Sequence, residues 1–243
     1  MRGTTPSGAR SEQEAAAWVR GMFARVAPRY DLANRLLSFN IDRHWRAHTV
    51  RRVRDILAIP GARVLDICCG TGDLVVALAH ARRAPVFGSD FCHPMLVGAR
   101  QKIDRAGNRS PLFESDALYL PLADSTLDLI TVAFGFRNLA NYEAGLREMH
   151  RVLKPGGTAA ILEFSQPPNA AFRALYNFYS RRILPVLGGA ISGNRDAYTY
   201  LPESVRKFPS ARELAEAMRR AGFSQVSYEF LTGGIVALHL GRR

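Results

Sequence analysis

Lysine is nearly absent from this chain: of 33 basic residues in 243, only Lys102, Lys154 and Lys207 are lysine. Cysteine is scarce too, and Cys68, Cys69 and Cys92 cannot build a disulfide framework. Their spacing fits no zinc pattern of the C-x-x-C or C-x-x-H kind, and His44, His48, His80, His93, His150 and His239 form no ligand cluster. No metal is therefore expected, and a reducing cytoplasm is the expected setting. No apolar run reaches the roughly 18 residues that a membrane span needs. The best stretch, 183–192, is short and rich in Gly and Pro. Residues 1–13 lack an apolar core after their first arginine, so a secretory signal is not expected.

What remains is ordinary globular material, 47% hydrophobic and 22% charged, long enough for one full core. The net charge of +12 fits nucleic acid, an anionic membrane surface or simple solubility. Neither an aromatic RNA-binding strand nor a helix-turn-helix with a basic second helix is present, so a nucleic-acid partner is not expected.

Residues 1–11 read as a loose tail of Thr, Ser, Gly, Pro and Arg. Ser11 then caps a helix, with Glu14 completing a capping box and Trp18, Met22 and Val26 at four-residue spacing. Pro28 breaks it, and further helices are expected over 31–37 and 45–57. Residues 1–60 thus form a tail and helical cap, and 61–243 a second region. There the pattern alternates: strands at 63–67, 85–89, 111–114, 127–134 and 158–164, with helices at 74–81, 94–105 and 142–153, the last ended by Pro155-Gly156-Gly157. This is the signature of an α/β fold with a parallel sheet covered on both faces. A polar and aromatic insertion at 169–209 precedes a helix at 211–221. Strands at 225–231 and 235–240 flank Gly233-Gly234, a tight turn that makes one terminal strand antiparallel.

The most informative segment is Val64-Leu65-Asp66-Ile67-Cys68-Cys69-Gly70-Thr71-Gly72-Asp73-Leu74, a buried strand running through a glycine turn into a helix. Glycines there let the backbone approach a ligand at the strand's carboxyl end. Asp90, 20 residues beyond Gly70, stands where a carboxylate grips a ribose diol. A dinucleotide fingerprint would need a small third residue, and Val75 occupies that place. Asp73 would repel a pyrophosphate at the helix start but suits a cofactor bearing an ammonium and a sulfonium, which favours S-adenosylmethionine over NAD.

At this point the chain resembles the seven-stranded, Rossmann-like S-adenosylmethionine methyltransferases. Asp66 matches the acidic end of their first strand, Cys68–Gly72 the turn, Asp90 the ribose carboxylate, Asp116 with Ala117 the adenine loop, and Ile130–Phe134 the strand beneath the methyl donor. Cys68 stands where many members carry glycine. The resemblance implies a cofactor set of Asp66, Gly70, Thr71, Gly72, Asp90, Phe91, Met95, Asp116, Ala117 and Ala133. Beyond this core, the chain closely resembles the ubiquinone/menaquinone biosynthesis C-methyltransferase family over nearly its whole length. Four motifs carry the match in order: Phe23-x-x-Val26-Ala27-x-x-Tyr30-Asp31-x-x-Asn34-x-x-Leu37-Ser38 leading to Arg43-x-Trp45; Phe134-Gly135-Phe136-Arg137-Asn138; Arg151-Val152-Leu153-Lys154-Pro155-Gly156-Gly157 leading to Glu163-Phe164-Ser165; and Ala197-Tyr198-x-Tyr200-Leu201-Pro202-x-Ser204 with Phe208-Pro209. Asp42 stands where the family usually has His, and Asn40 where it has Gly.

The resemblance implies C-methylation of a prenylated quinol ring, demethylmenaquinol in first place and a polyprenyl benzoquinol as the alternative; a non-catalytic cofactor-binding subunit is the rival reading. A quinone is electrophilic and would not attack a sulfonium methyl, so the reduced quinol is the expected substrate. Arg137 is expected to stabilise the oxyanion or orient a water, because arginine stays protonated; Asn138 binds the other oxygen and Tyr30 caps the pocket. Less functional readings are that Arg137 pairs with Glu143, that Asp31 caps a helix, and that Glu163 supports the Gly156-Gly157 turn or the N-terminal helices. Tyr176, Phe178, Tyr179, Tyr198 and Tyr200 would line a quinone pocket or a satellite core. Arg173, Arg181 and Arg182 would rim an apolar mouth against an anionic membrane surface, and a homodimer is compatible with the family.

Overall fold

In a computed structural model the chain is described at residues 3, 4, 6, 8–183 and 195–243. Seven strands form one sheet in the order β3-β2-β1-β4-β5-β7-β6. They are β1 (Val64–Ile67), β2 (Phe87–Asp90), β3 (Leu112–Glu114), β4 (Leu127–Ala133), β5 (Leu153–Phe164), β6 (Ser224–Leu231) and β7 (Val236–Arg242). All neighbours run parallel until β7, which pairs antiparallel with both β5 and β6. The last strand therefore slots between them and leaves β6 at the edge.

The central strands are apolar on both sides because helices cover both faces. Alternate residues supply two separate cores. Leu65, Ile67, Ile130, Val132, Ala159 and Ile161 face one, with Leu146 and Met149; Val64, Leu129, Ala160, Leu162 and Leu238 face the other, with Leu78 and Trp45. Each fully buried Leu or Ile contributes about 1.5–3 kcal/mol. Helices α5 (Asp73–Arg82), α6 (His93–Arg105), α7 (Tyr142–Val152) and α10 (Ala211–Arg220) follow β1, β2, β4 and the insertion. The α7 helix ends at Val152, where Leu153 takes extended backbone and β5 begins at once; Pro155-Gly156-Gly157 lies within the strand rather than ending the helix.

The N-terminal region forms α1 (Glu12–Val26), α2 (Tyr30–Leu37), α3 (Ile41–Arg52) and the short α4 (Arg54–Leu57). Ser11 caps α1 by accepting from the Glu14 N–H, but Glu14 reaches back to the N–H of Arg10, not of Ser11, so the capping box is displaced by one residue. The helix expected over 45–57 starts earlier and breaks at Val53. Between α2 and α3, Phe39 and Asn40 both hold positive φ, 52° and 59°. Phe39 there costs roughly 1–2 kcal/mol, whereas asparagine adopts this region more readily. Residues 3 and 4 are no loose tail: Thr4 is buried, its N–H donates to the Leu139 carbonyl at 2.9 Å, and Gly3 presses so close to Ala140 that a Cβ would lie 2.1 Å from it. The region 169–209 contributes α8 (Ala170–Phe178) and α9 (Arg195–Lys207).

Candidate active site

The chain leaves β1 through Cys68–Gly72, and three residues of that turn have positive φ: Cys68 (49°), Gly70 (54°) and Gly72 (83°). Glycine does this freely, whereas Cys68 carries a Cβ in the left-handed region. A Cβ on Gly135, at the exit of β4, would stand 2.4 Å from the Cβ of Cys68. The exits of β1 and β4 are thus fitted to each other. Burial, helped by Asp90, pushes the Cys68 and Cys69 thiols well up, so they remain protonated packing groups.

Two buried carboxylates organise the turn. The N–H of Gly70 donates to Asp90 Oδ2 at 2.8 Å, and the N–H of Cys92 to Asp90 Oδ1 at 2.9 Å, so Asp90 braces both the turn and the start of α6. Asp66 accepts from the hydroxyl of Thr131 at 2.6 Å, which explains a buried threonine in the apolar β4. Burial pushes Asp66 up to about 7 and Asp90 to about 6. A carboxylate can accept about four hydrogen bonds, so both retain capacity for ligand donors.

Asp66, Gly70, Thr71, Asp90, Phe91, Met95, Asp116, Ala117 and Ala133 line one cleft at the carboxyl ends of β1, β2 and β4, together with Tyr30 and Asn138. Gly72 does not reach it; a Cβ there would meet Ala99 at 3.2 Å, so this glycine serves the packing of α5 on α6. Asp73 lines the cleft, yet Lys102 Nζ lies 2.5 Å from its carboxylate and balances its charge. Lys102 also bonds Asp31 at 2.7 Å and the Thr71 hydroxyl at 3.0 Å, while Thr71 donates to Asp31 at 2.6 Å. Asp31 therefore caps no helix. Burial works against its charge, but Lys102 and Thr71 override that and hold its carboxyl below the usual range. It ties α2 to the glycine turn.

Beside the cleft lies a second chamber of about 300 Å³, lined by aromatics including Trp45, Phe164, Tyr176, Tyr179 and Tyr200. Phe23, Tyr30, Arg46 and Phe134 wall both cavities. Arg137 lines the chamber, and its partner is Glu163 rather than Glu143: Nη1 lies 3.0 Å from Oε1, and the backbone N–H donates to Oε2 at 3.1 Å. Glu163 thus supports the short helical turn 136–138, not the Gly156-Gly157 turn. Burial opposes the charge of Arg137, and Glu163, together with Tyr30 and Tyr200, more than offsets it. Arg137 also bonds the Phe134 carbonyl and stacks over Phe164 at 5.2 Å, but its buried Nε has no partner among the described residues. Such an orphaned donor beside a cavity can serve a developing oxyanion. Asn138 Oδ1 accepts from the Tyr200 hydroxyl at 3.1 Å. Phe178 is 60% exposed and lines neither cavity, and the side chains of Tyr198 and Arg181 lie outside the described residues.

Sequence reasoning missed Arg46, Ser115, Leu118 and Gly135 in the cleft. For Arg46 the only signal was its place beside Trp45 in the first motif. Among the described residues no group of His, Cys, Asp and Glu could hold a metal, and no helix is long and apolar enough to cross a membrane.

Known proteins share the fold and much of the sequence. The described fold matches an S-adenosylmethionine-dependent methyltransferase of Thermotoga maritima with a TM-score of 0.63 at 20% identity, covering 91% of this chain and 98% of that one. In sequence the chain is 52% identical to the demethylmenaquinone methyltransferase of Thermus thermophilus over 225 residues, 91% of this chain and all of that protein. It is 48% identical to the ubiquinone/menaquinone biosynthesis C-methyltransferase of Syntrophotalea carbinolica over 226 residues, covering 92% and 93% of the two. The family model of the ubiE/COQ5 methyltransferases matches residues 9–243. The chain belongs to the ubiE/COQ5 methyltransferase family, which makes it a methyltransferase that draws on S-adenosylmethionine.

Proposed function

We propose that this enzyme methylates a ring carbon of demethylmenaquinol, the reduced and prenylated naphthoquinol, with a prenylated benzoquinol as the alternative acceptor. One observation carries the reading: a carboxylate-rich cleft shares the walls Tyr30, Phe23, Arg46 and Phe134 with an aromatic chamber that Arg137 also lines. The relatives named demethylmenaquinone methyltransferase, at 52% and 45% identity, support the naphthoquinol.

The cleft suits a cationic cofactor. Asp66, Asp73, Asp90 and Asp116 line it against the single guanidinium of Arg46. Asp90 would take the ribose hydroxyls, Asp66 the ammonium, Asp116 and Ala117 the adenine edge, and Phe91 and Met95 its faces; Gly70, Thr71 and Ala133 would let the donor lie close. When bound, S-adenosylmethionine supplies an electrophilic methyl carbon. The chain's own task is then to bring an electron-rich ring carbon to it and exclude water. Tyr30 sits at the seam between the cavities, Asn138 orients the acceptor, and the free Nε–H of Arg137 stabilises the phenolate oxygen. In this reading residues 1–60 are a cap over the catalytic unit 61–243, whose insertion at 169–209 contributes Tyr176, Tyr179, Tyr200 and Leu201 to the chamber wall.

A prenyl tail must leave the chamber. Phe39 lines it while 72% exposed, and Leu32, Leu36, Leu175 and Phe178 are also more than half exposed. We place this apolar rim against an anionic membrane surface, at the cytoplasmic face, and Arg182, four positions after Phe178, is exposed. Arg173, expected in that rim, instead donates to the Pro167 carbonyl. The test is methyl transfer from S-adenosylmethionine to dithionite-reduced acceptors. Transfer to the naphthoquinol is expected; binding of the cofactor without transfer to either quinol would overturn the reading.

A further inference from the structure

Methylation of a quinol ring releases a proton, so the acceptor chamber needs a group that receives it. Arginine cannot do so. Glu163, the carboxylate nearest Arg137, is spent on that residue and does not line the chamber. Among the lining residues one carboxylate remains, Asp42.

Asp42 is held firmly at the start of α3. It is 6% exposed, and its oxygens are fixed separately: Oδ1 accepts from the Ser38 hydroxyl at 2.8 Å, and Oδ2 pairs with Arg46. Arg46 in turn stacks over Phe134 at 5.4 Å and walls both cavities, so the pair stands where the acceptor meets the methyl donor's cleft. The strained corner at Phe39 and Asn40 lies immediately before α3 and brings Asp42 to the chamber wall. Backbone strain of this kind persists where the surroundings demand a particular placement.

We propose that Asp42 is a catalytic carboxylate of the acceptor chamber: it accepts the hydrogen bond of one quinol hydroxyl and takes its proton as the ring attacks. This inference rests on the quinol reading above. The electrons balance simply. The O–H bond gives its proton to the Asp42 carboxylate, and its electron pair flows through the ring. The ring carbon forms the new C–C bond to the methyl as the methyl–sulfur bond breaks, with that pair remaining on sulfur. The ring C–H proton then moves to the ring oxygen, which restores the aromatic quinol. Net, one proton leaves the chamber through Asp42. Arg46 and Ser38 orient the carboxylate and are positioning residues.

The experiment compares the full-length wild-type enzyme with Asp42→Asn and Asp42→Glu. The acceptors are a reduced short-chain demethylmenaquinol and its two monomethyl ethers. With the free quinol, Asp42→Asn should lower kcat about 100-fold, the lower range for a positioned proton acceptor, and Asp42→Glu should recover part of it. One monomethyl ether, blocked at the hydroxyl that Asp42 serves, should be a poor substrate of the wild type that Asp42→Asn makes no poorer. Acceptor binding is read independently from quenching of Trp45, which lines the same chamber, in a Trp18→Phe background. S-adenosylmethionine affinity by calorimetry should not change, which also shows that the variant is folded. If Asp42→Asn does not fold, Ser38→Ala, which removes one bond to the carboxylate, should still weaken turnover several-fold on the quinol and not on the blocked ether. Wild-type turnover by Asp42→Asn, or an equal loss on all three acceptors, would overturn the proposal and leave the quinol reading standing. A wild type that methylates no quinol would instead sink that reading.

Discussion

The hydroxyl of Thr4 lies 3.1 Å from the hydroxyl of Tyr200, 196 positions along the chain. Because the Tyr200 hydroxyl donates to Asn138, Thr4 is the donor in this contact and the outer end of a buried relay into the site. Thr4→Val keeps the shape and removes the donor. A net loss near 1 kcal/mol, typical of one hydrogen bond, corresponds to about a fivefold fall in kcat. Thr4→Ser should restore it, and wild-type turnover by the valine variant would show that the relay has no part in catalysis.

Asp66 and Asp90 make cofactor binding depend on pH. Their carboxyls titrate near 7 and 6 when the site is free, because of burial. A ligand that offers cationic or hydroxyl donors binds the ionised forms, so it pulls both pKa values down and expels protons. Affinity for S-adenosylmethionine should therefore rise between about pH 5 and pH 7.5. Calorimetry in buffers of different ionisation enthalpy should register proton release near pH 6.5; proton uptake would contradict this assignment. For the ligand-free protein the sign is opposite. Carboxyls raised above their unfolded values favour folding in their protonated form, and that contribution fades as pH climbs through 6 to 7.

Breaking the buried pair of Arg137 and Glu163 should be costly. Glu163→Gln leaves a guanidinium, 7% exposed, without its counter-charge. Loss of one partner of a buried pair costs about 3–5 kcal/mol, which for a chain of this size lowers Tm by roughly 10 °C. Thermal denaturation followed by circular dichroism measures it, and a shift of a degree or two would mean that water reaches this pair.

Lys102 joins three elements through Asp31, Asp73 and Thr71. Lys102→Met should leave Asp31 and Asp73 without the cation that bridges them, free α2 from the glycine turn and raise KM for S-adenosylmethionine more than it lowers kcat. Limited proteolysis should then cut within the first sixty residues faster than in the wild type. Unchanged cleavage would place the hold of the cap elsewhere, in the Val19–Met22–Met95 cluster.

The apolar rim predicts lipid binding. Leu32→Asp combined with Leu36→Asp changes two exposed residues outside the chamber lining and should abolish sedimentation with anionic vesicles at low salt while short-chain quinols are still methylated. Sedimentation equal to the wild type would move the membrane contact away from this rim.

The order of strands and helices and the glycine turn were legible in local sequence, because burial on both faces writes apolar runs and close backbone approach writes glycine. That residues of the turn and of strand ends share one cleft was legible for the same reason: Asp66, Gly70, Asp90 and Asp116 all line it. Gly72 was misread since a glycine needed for Ala99 on a neighbouring helix looks like one needed for a ligand. Only the tertiary structure decided the pairings between distant charges. That Arg137 answers to Glu163, that Lys102 satisfies Asp73, and that Thr4 reaches Tyr200 depends on side chains brought together from separate elements. Electrostatic and hydrogen-bond partners act over a few ångströms of space, and local sequence periodicity carries no record of that distance.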